Sequence, residues 1–212
     1  MADTEISPEQ LASAVAARLI HDVIGPASGI VSAFDLIADP TAAAMREEAL
    51  ALAEDSARKL VGLLALSRAI HAGGAALTAE ELRGFADRLF EGSRATLHLT
   101  LETVASPVAG RLLLGLLQIA ASAVAAGGSV TACLAADGDR LIVEGSAAGP
   151  RLRIGPEVLA GLAGQSPGSG PLHRWSTAYV LAALAGSAGG AIDASVAEGV
   201  FVFRAVIRAE IA

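Results

Sequence analysis

Apolar residues recur along the first part of the chain at Leu11, Val15, Leu19, Val23, Pro26, Ile30, Phe34 and Ile37. A spacing of three or four lays one apolar stripe along a helix, so residues 11–37 read as a single long helix with one buried side. Ser7-Pro8-Glu9-Gln10 supplies its start: Ser7 as N-cap, Pro8 at the first helical position, and Gln10 reaching back to close a capping box. Ala38-Asp39-Pro40-Thr41 reads as a turn with Thr41 as the next N-cap, and a second helical pattern follows over roughly residues 42–71. Met45, Ala49, Leu52, Leu60, Val61, Leu64 and Ile70 give that second helix its core side. Two long helices joined by a short turn predict an antiparallel hairpin. Such a hairpin cannot bury both stripes alone, and pairing with a second copy into a homodimeric four-helix bundle is the simplest solution.

Ala72-Gly73-Gly74-Ala75 breaks the pattern and divides the chain into a helical hairpin, residues 1–74, and a second domain, residues 75–212. Thr78-Ala79-Glu80-Glu81 is another capping box, opening a helix to about Glu91. Thr96-Leu97-His98-Leu99-Thr100-Leu101 alternates as a half-buried strand does. Ser106-Pro107 starts an apolar helix to Ala126, and strands are expected over 129–135 and 140–145, with another short one over 151–154. A short helix over 156–163, a Gly/Ser/Pro loop over 164–171 and a helix over 175–185 come next. Gly189-Gly190 then leads into two last strands, 191–195 and 200–208. The fold class is α+β, with helices on one face of a sheet.

Composition supports a packed core: 53% of residues are apolar, 17% charged, and the mean hydropathy is +0.57. A net charge of −7 and 3% aromatics argue against nucleic acid, which needs a basic face and stacking platforms. Cys133 is the sole cysteine, so no internal disulfide or cysteine-rich zinc site is possible and a reducing cytoplasm is the expected location. Residues 112–136 carry no charge and are long enough to span a bilayer. Gln118, Ser122 and Ser129 interrupt them and Gly127-Gly128 splits them, so a core helix, a turn and a core strand are expected instead. The start, MADTEISPEQ, has no basic region or apolar run of a signal peptide. A soluble protein is expected, with no membrane partner.

The candidate chemistry lies in the first helix. At about 100° per residue, His21 falls roughly 160° from the centre of the apolar stripe and should face water. Pro26 lacks an N–H, so the carbonyl of Asp22 loses its helical donor and a kink is expected there. Gly25 and Gly29 each cost about 1 kcal/mol relative to alanine. Asp22, beside the imidazole, would favour one tautomer or the charged form. Several local rules are broken beside one exposed titratable residue, which suggests a functional site; the plain alternative is a surface histidine on a kinked helix. His71 closes a helix, where positive charge suits the dipole; His98 lies in a strand; His173 sits by a loop; surface or structural roles are expected for all three. None has a neighbour at zinc-ligand spacing.

The His21-Asp22-Val23-Ile24-Gly25-Pro26 segment resembles the His-acidic-x-x-x-Pro phosphoacceptor box of histidine kinase dimerisation domains. LASAVAARLIHDVIGPASGIVSAFDLI is similar to the opening of the ChpT-type histidine phosphotransferases, alphaproteobacterial relay proteins with a kinase-like outline that have lost ATP binding. Glu54-Asp55-Ser56-Ala57-Arg58-Lys59-Leu60 and Leu66-Ser67-Arg68-Ala69 look like the end of their second helix. The element order of the second domain resembles a histidine kinase ATP-binding domain, an α/β sandwich, in degenerate form. Kinases hold magnesium and phosphates with asparagines, of which this sequence has none; the corresponding helix offers only Gln118. Val143-Glu144-Gly145-Ser146-Ala147-Ala148-Gly149 stands where kinases carry Asp-x-Gly-x-Gly, and Gly168-Ser169-Gly170 is all that resembles the nucleotide-lid glycines.

The resemblance implies a two-component phosphorelay protein, a histidine phosphotransferase that passes phosphoryl groups between receiver-domain aspartates through a phosphohistidine at His21, without ATP. It implies a homodimer whose partners are response-regulator receiver domains, as donor and acceptor. The chain itself needs no cofactor, since the receiver brings Mg2+. Asp22 would hold the imidazole through its other nitrogen, a role parallel to a triad carboxylate. Arg18, one turn earlier, would touch phosphoryl oxygens or the receiver. Small residues around the histidine, Ala14, Ala17, Gly25 and Ser28, would admit a partner helix. Gly25 stands where receiver-dephosphorylating kinases place a polar residue, so no hydrolytic role is expected. Two other readings remain: a dimeric receiver-binding adaptor without phosphotransfer, and an ATP-dependent histidine kinase with an unusual nucleotide site.

Overall fold

A computed structural model describes residues 6–166 and 171–209. Both halves of the first capping box form: the Gln10 N–H donates to Ser7 Oγ at 3.2 Å, and the Ser7 N–H to Gln10 Oε1 at 3.0 Å. From this cap, α1 runs over Pro8–Ala38 and continues through Pro26. The turn differs from expectation. Asp39, not Thr41, is the cap; its Oδ1 accepts the Thr41 N–H at 2.8 Å and the Thr41 hydroxyl at 2.7 Å. That side-chain closure winds Pro40–Met45 into a 3-10 turn, and α2 begins only at Arg46 (Arg46–His71).

The two helices of the hairpin approach closely where Gly29 faces Ser56, and a Cβ at Gly29 would lie 2.6 Å from Ser56 Oγ. Ala33 on α1 and Ala49 on α2 are buried nearby along the same seam. Leu11, Val15, Val23, Pro26, Ile30 and Ile37 are half-buried as the stripe requires, whereas Leu19 and Phe34 remain exposed. A second apolar face, Ile20, Ile24, Val31 and Phe34, is uncovered within one chain, with exposures from 58% to 61%. Leu50, Val61 and Leu64 continue it on α2. By length and composition α1 is apolar enough to cross a membrane, but Arg18, His21 and Asp22 lie in its middle and α2 packs along it.

Beyond the hairpin come α3 (Ala79–Phe90), β1 (Ala95–Leu101), α4 (Pro107–Ala123), β2 (Gly128–Asp137) and β3 (Arg140–Ala148). After them lie α5 (Pro156–Leu162), α6 (Leu172–Ser187), β4 (Ala191–Ala197) and β5 (Val200–Arg208). The sheet order is β1-β2-β3-β5-β4, with β1 and β2 parallel and all other pairs antiparallel. Alternation sets its two faces. Val130, Ala132 and Leu134 of β2 point to the helices with Leu141 and Val143 of β3 and Phe201, Phe203, Ala205 and Ile207 of β5. The other face is polar, bearing the Thr131–Ser146 hydroxyl pair at 2.9 Å and the Arg204–Glu144 ion pair at 3.1 Å.

The uncharged run from Leu112 is the core helix α4, buried on nearly every side. Gly115 lies under Leu181 of α6, where a Cβ would come within 2.5 Å of a leucine methyl, so the two helices pack almost backbone to side chain. Residues 151–154 form no strand. Both edges of β3 are already paired, and the Arg153 N–H donates to the Ala123 carbonyl at the end of α4 instead. Arg111 of α4 reaches the hairpin: its Nε donates to the Ile70 carbonyl at 2.7 Å and its Nη2 to the His71 carbonyl at 3.4 Å. Leu66 and Ile70 of α2 belong to the same core as α3, α4 and the sheet.

Candidate functional site

His21 projects from α1 with 64% of its side chain exposed. Its Nδ1 lies 3.2 Å from Asp22 Oδ1, and Asp22 Oδ2 accepts from Arg18 Nε at 2.8 Å. Arg18 and Asp22 are far less exposed than the histidine, at 22% and 18%. The three side chains therefore form a graded relay: a half-buried guanidinium fixes a half-buried carboxylate, which holds one nitrogen of an exposed imidazole. With the proton on Nδ1 donated to Asp22, Nε2 keeps its lone pair and faces away from that contact, able to accept a proton or attack an electrophile.

The opposite wall of the site comes from the second domain. Ser176 of α6 is fully buried, and its hydroxyl shares its one proton between the Ala14 carbonyl of α1 and the His173 carbonyl, each 3.3 Å away. Trp175, also fully buried, anchors the same turn by donating its indole N–H to the Gln165 carbonyl at 2.7 Å. So seated, α6 brings His173 against His21, ring centroids 5.1 Å apart and planes inclined by 21°. Burial first, then the charges of His21, Arg174 and Arg18, hold the His173 imidazole below its ordinary pKa, while Asp22 pulls the other way. Beneath the ion pair a small cavity between hairpin and second domain is lined by Arg18, Asp22, Ser67, His71, Gln118 and Thr177. There, burial and then the Arg111 charge hold the His71 imidazole below its ordinary pKa.

The expected small-residue surface is only partly available. Ala17, Gly25 and Ser28 are exposed, and nothing lies within 4 Å of a Cβ placed at Gly25. Ala14 is 3% exposed, because the helix it admits is the chain's own α6. Arg18 has its Nε committed to Asp22. His98 is exposed on β1, and Gln118 faces the cavity under Asp22. Gly168, Ser169 and Gly170 lie outside the described residues. Among the described residues no group of three His, Cys, Asp or Glu side chains is placed to hold a metal ion. His173 was expected to sit by a loop in a surface or structural role; the helix begins earlier than expected, at Leu172, and carries His173 in its first turn against His21.

The chain joins a histidine-bearing helical hairpin to an α+β sheet domain. Residues 79–200 match the family model described as "Histidine phosphotransferase C-terminal domain", and the chain belongs to that family. No curated protein matches it. Among solved structures it is similar over 97% of its length, and 100% of the other's, to a bacterial phosphotransferase, with a TM-score of 0.81 at 24% identity. Looser likenesses include the Acinetobacter baumannii histidine kinase AdeS, at a TM-score of 0.47, 15% identity, and 91% and 95% coverage of this chain and that one. A histidine kinase domain from Erythrobacter litoralis EL346 gives 0.49, 15%, 88% and 96%. The family match begins after the hairpin, so it does not include His21.

Proposed function

We propose that the protein relays phosphoryl groups between receiver domains of response regulators through His21, without ATP. The observation that carries this is the exposed imidazole whose Nδ1 is held by Asp22 and, through it, by Arg18, in a chain of the histidine phosphotransferase family. In the first half-reaction His21 Nε2 attacks the phosphorus of a receiver aspartyl phosphate. The N–P bond forms as the O–P bond breaks, and the aspartate leaves as a carboxylate. In the second, the aspartate of another receiver attacks the phosphohistidine and the imidazole leaves, so donor and acceptor steps are the same displacement run in opposite directions. Such transfer asks the protein for position and charge stabilisation more than for covalent chemistry. Asp22 supplies both, orienting the ring and stabilising the imidazolium character that develops on it.

Magnesium would come with the receiver. The absence of asparagine from the whole sequence supports ATP independence. Ala17, Gly25 and Ser28, exposed on the turns around His21, are the candidate docking surface for the receiver. The uncovered apolar face of the hairpin supports a homodimer in which α1 and α2 of two copies form a four-helix bundle. A cytoplasmic location fits a relay between receiver domains.

The test is label transfer. Purified protein is mixed with a phosphorylated receiver domain and magnesium, in the absence of ATP, and acid-labile label on the protein is followed. Wild type takes up label and His21→Ala does not. Failure of wild type to accept label from any receiver of its host would overturn the proposal and leave an adaptor that binds receivers without chemistry.

A further inference from the structure

We infer that His173 is a positioning residue for His21: the imidazole on the first turn of α6 stacks on the His21 ring and fixes its plane for attack on phosphorus. The inference rests on the reading of His21 as phosphoacceptor and adds a second residue, from the other domain, to that site. A single hydrogen bond from Nδ1 to Asp22 at 3.2 Å leaves an exposed ring free to swing about that contact. A second ring at 5.1 Å and 21° removes this freedom, because rotation of His21 out of plane would break the stack. His173 is itself well held. The next three residues of α6, Arg174 aside, are Trp175, Ser176 and Thr177, all buried, and Ser176 ties the helix to α1 through the Ala14 carbonyl.

Attack on an aspartyl phosphate requires the nitrogen lone pair in line with the breaking bond, so restricting the ring before the receiver arrives raises the rate of transfer without strengthening receiver binding. The second domain would thereby act on the chemistry directly, with no nucleotide of its own to offer. An aromatic pair of this kind is worth about a 2- to 12-fold change in a rate or equilibrium.

Two variants test it. His173→Ala removes the stack; His173→Phe keeps a ring face and removes both nitrogens. In the free protein, the His21 ring-proton resonances should move in His173→Ala, as the ring current of the neighbour is lost, and return towards the wild-type position in His173→Phe. In single-turnover transfer from a phosphorylated receiver with magnesium, His173→Ala should lower the maximal rate about 2- to 12-fold at unchanged half-saturating receiver concentration, and His173→Phe should recover most of it. Absence of label on wild type overturns the phosphoacceptor reading, and this inference with it. Label on wild type with an unchanged maximal rate in His173→Ala overturns this inference alone. A slow His173→Ala that His173→Phe does not rescue also overturns it, since the ring face would then not be what matters.

Discussion

Asp22 stands between two partners, and its removal affects them differently. Asp22→Asn keeps the size of the side chain but weakens its hold on both the Arg18 guanidinium and the His21 imidazole, now 2.8 Å and 3.2 Å away. A misoriented nucleophile costs on the order of 10- to 100-fold in rate, so label transfer in Asp22→Asn should fall by about that factor while circular dichroism stays unchanged. Arg18→Ala leaves the half-buried carboxylate without its cation. For a partly solvated pair the loss in folding stability should be only about 0.5 kcal/mol, read from the shift in a urea midpoint. The larger effect should be on transfer, because Asp22 would then be free to rotate away from His21.

Among the elements, the glycines of the hairpin separate close packing from mere helix cost. Gly29→Ala places a Cβ 2.6 Å from Ser56 Oγ, so the serine must turn or the helices must part, and a loss of about 1–3 kcal/mol in unfolding free energy is expected. Gly62→Ala on α2 meets nothing within 4 Å and should stabilise by up to about 1 kcal/mol, since only helix propensity changes. Opposite signs in two denaturation curves check both. Most elements were legible in the sequence for local reasons. Ser7 with Gln10 and Thr78 with Glu81 announce their helices because a capping box is a short-range device. Residues 200–208 announce β5 because one face of the sheet is wet and alternation survives. What escaped was non-local. Arg151-Leu152-Arg153-Ile154 has strand character, but no free edge remained beside β3 for it to join. His173 reaches His21 only because Ser176 and Ala14 bring α6 to α1, a contact that no periodicity encodes. The contact between His21 and Asp22 was legible for the opposite reason: they sit next to each other in the chain.

At the scale of the whole molecule, the uncovered face of Ile20, Ile24, Val31 and Phe34 should set the oligomeric state. Wild type should sediment at twice the mass of one chain and Phe34→Glu towards one, and a monomeric wild type would remove the dimer from the proposal. Stability should also depend on pH. His71 and His173 are both held below the ordinary histidine value of 6.5 by burial, aided by Arg111 in one case and by His21, Arg174 and Arg18 in the other. The unfolded chain therefore takes up protons that the folded one refuses, so stability is full above about 6.5 and falls as pH drops through the lowered folded values. Urea midpoints measured on either side of pH 6.5 should show this loss, and His71→Gln should reduce its slope. Arg111 bears on the molecule as a whole too. The last two carbonyls of α2, those of Ile70 and His71, are satisfied by the Arg111 side chain of α4. Fraying of the hairpin's end and loosening of the join between the domains are thus one event. The chain should melt as a single cooperative unit, and Arg111→Ala should lower the midpoint of its one calorimetric transition without splitting it.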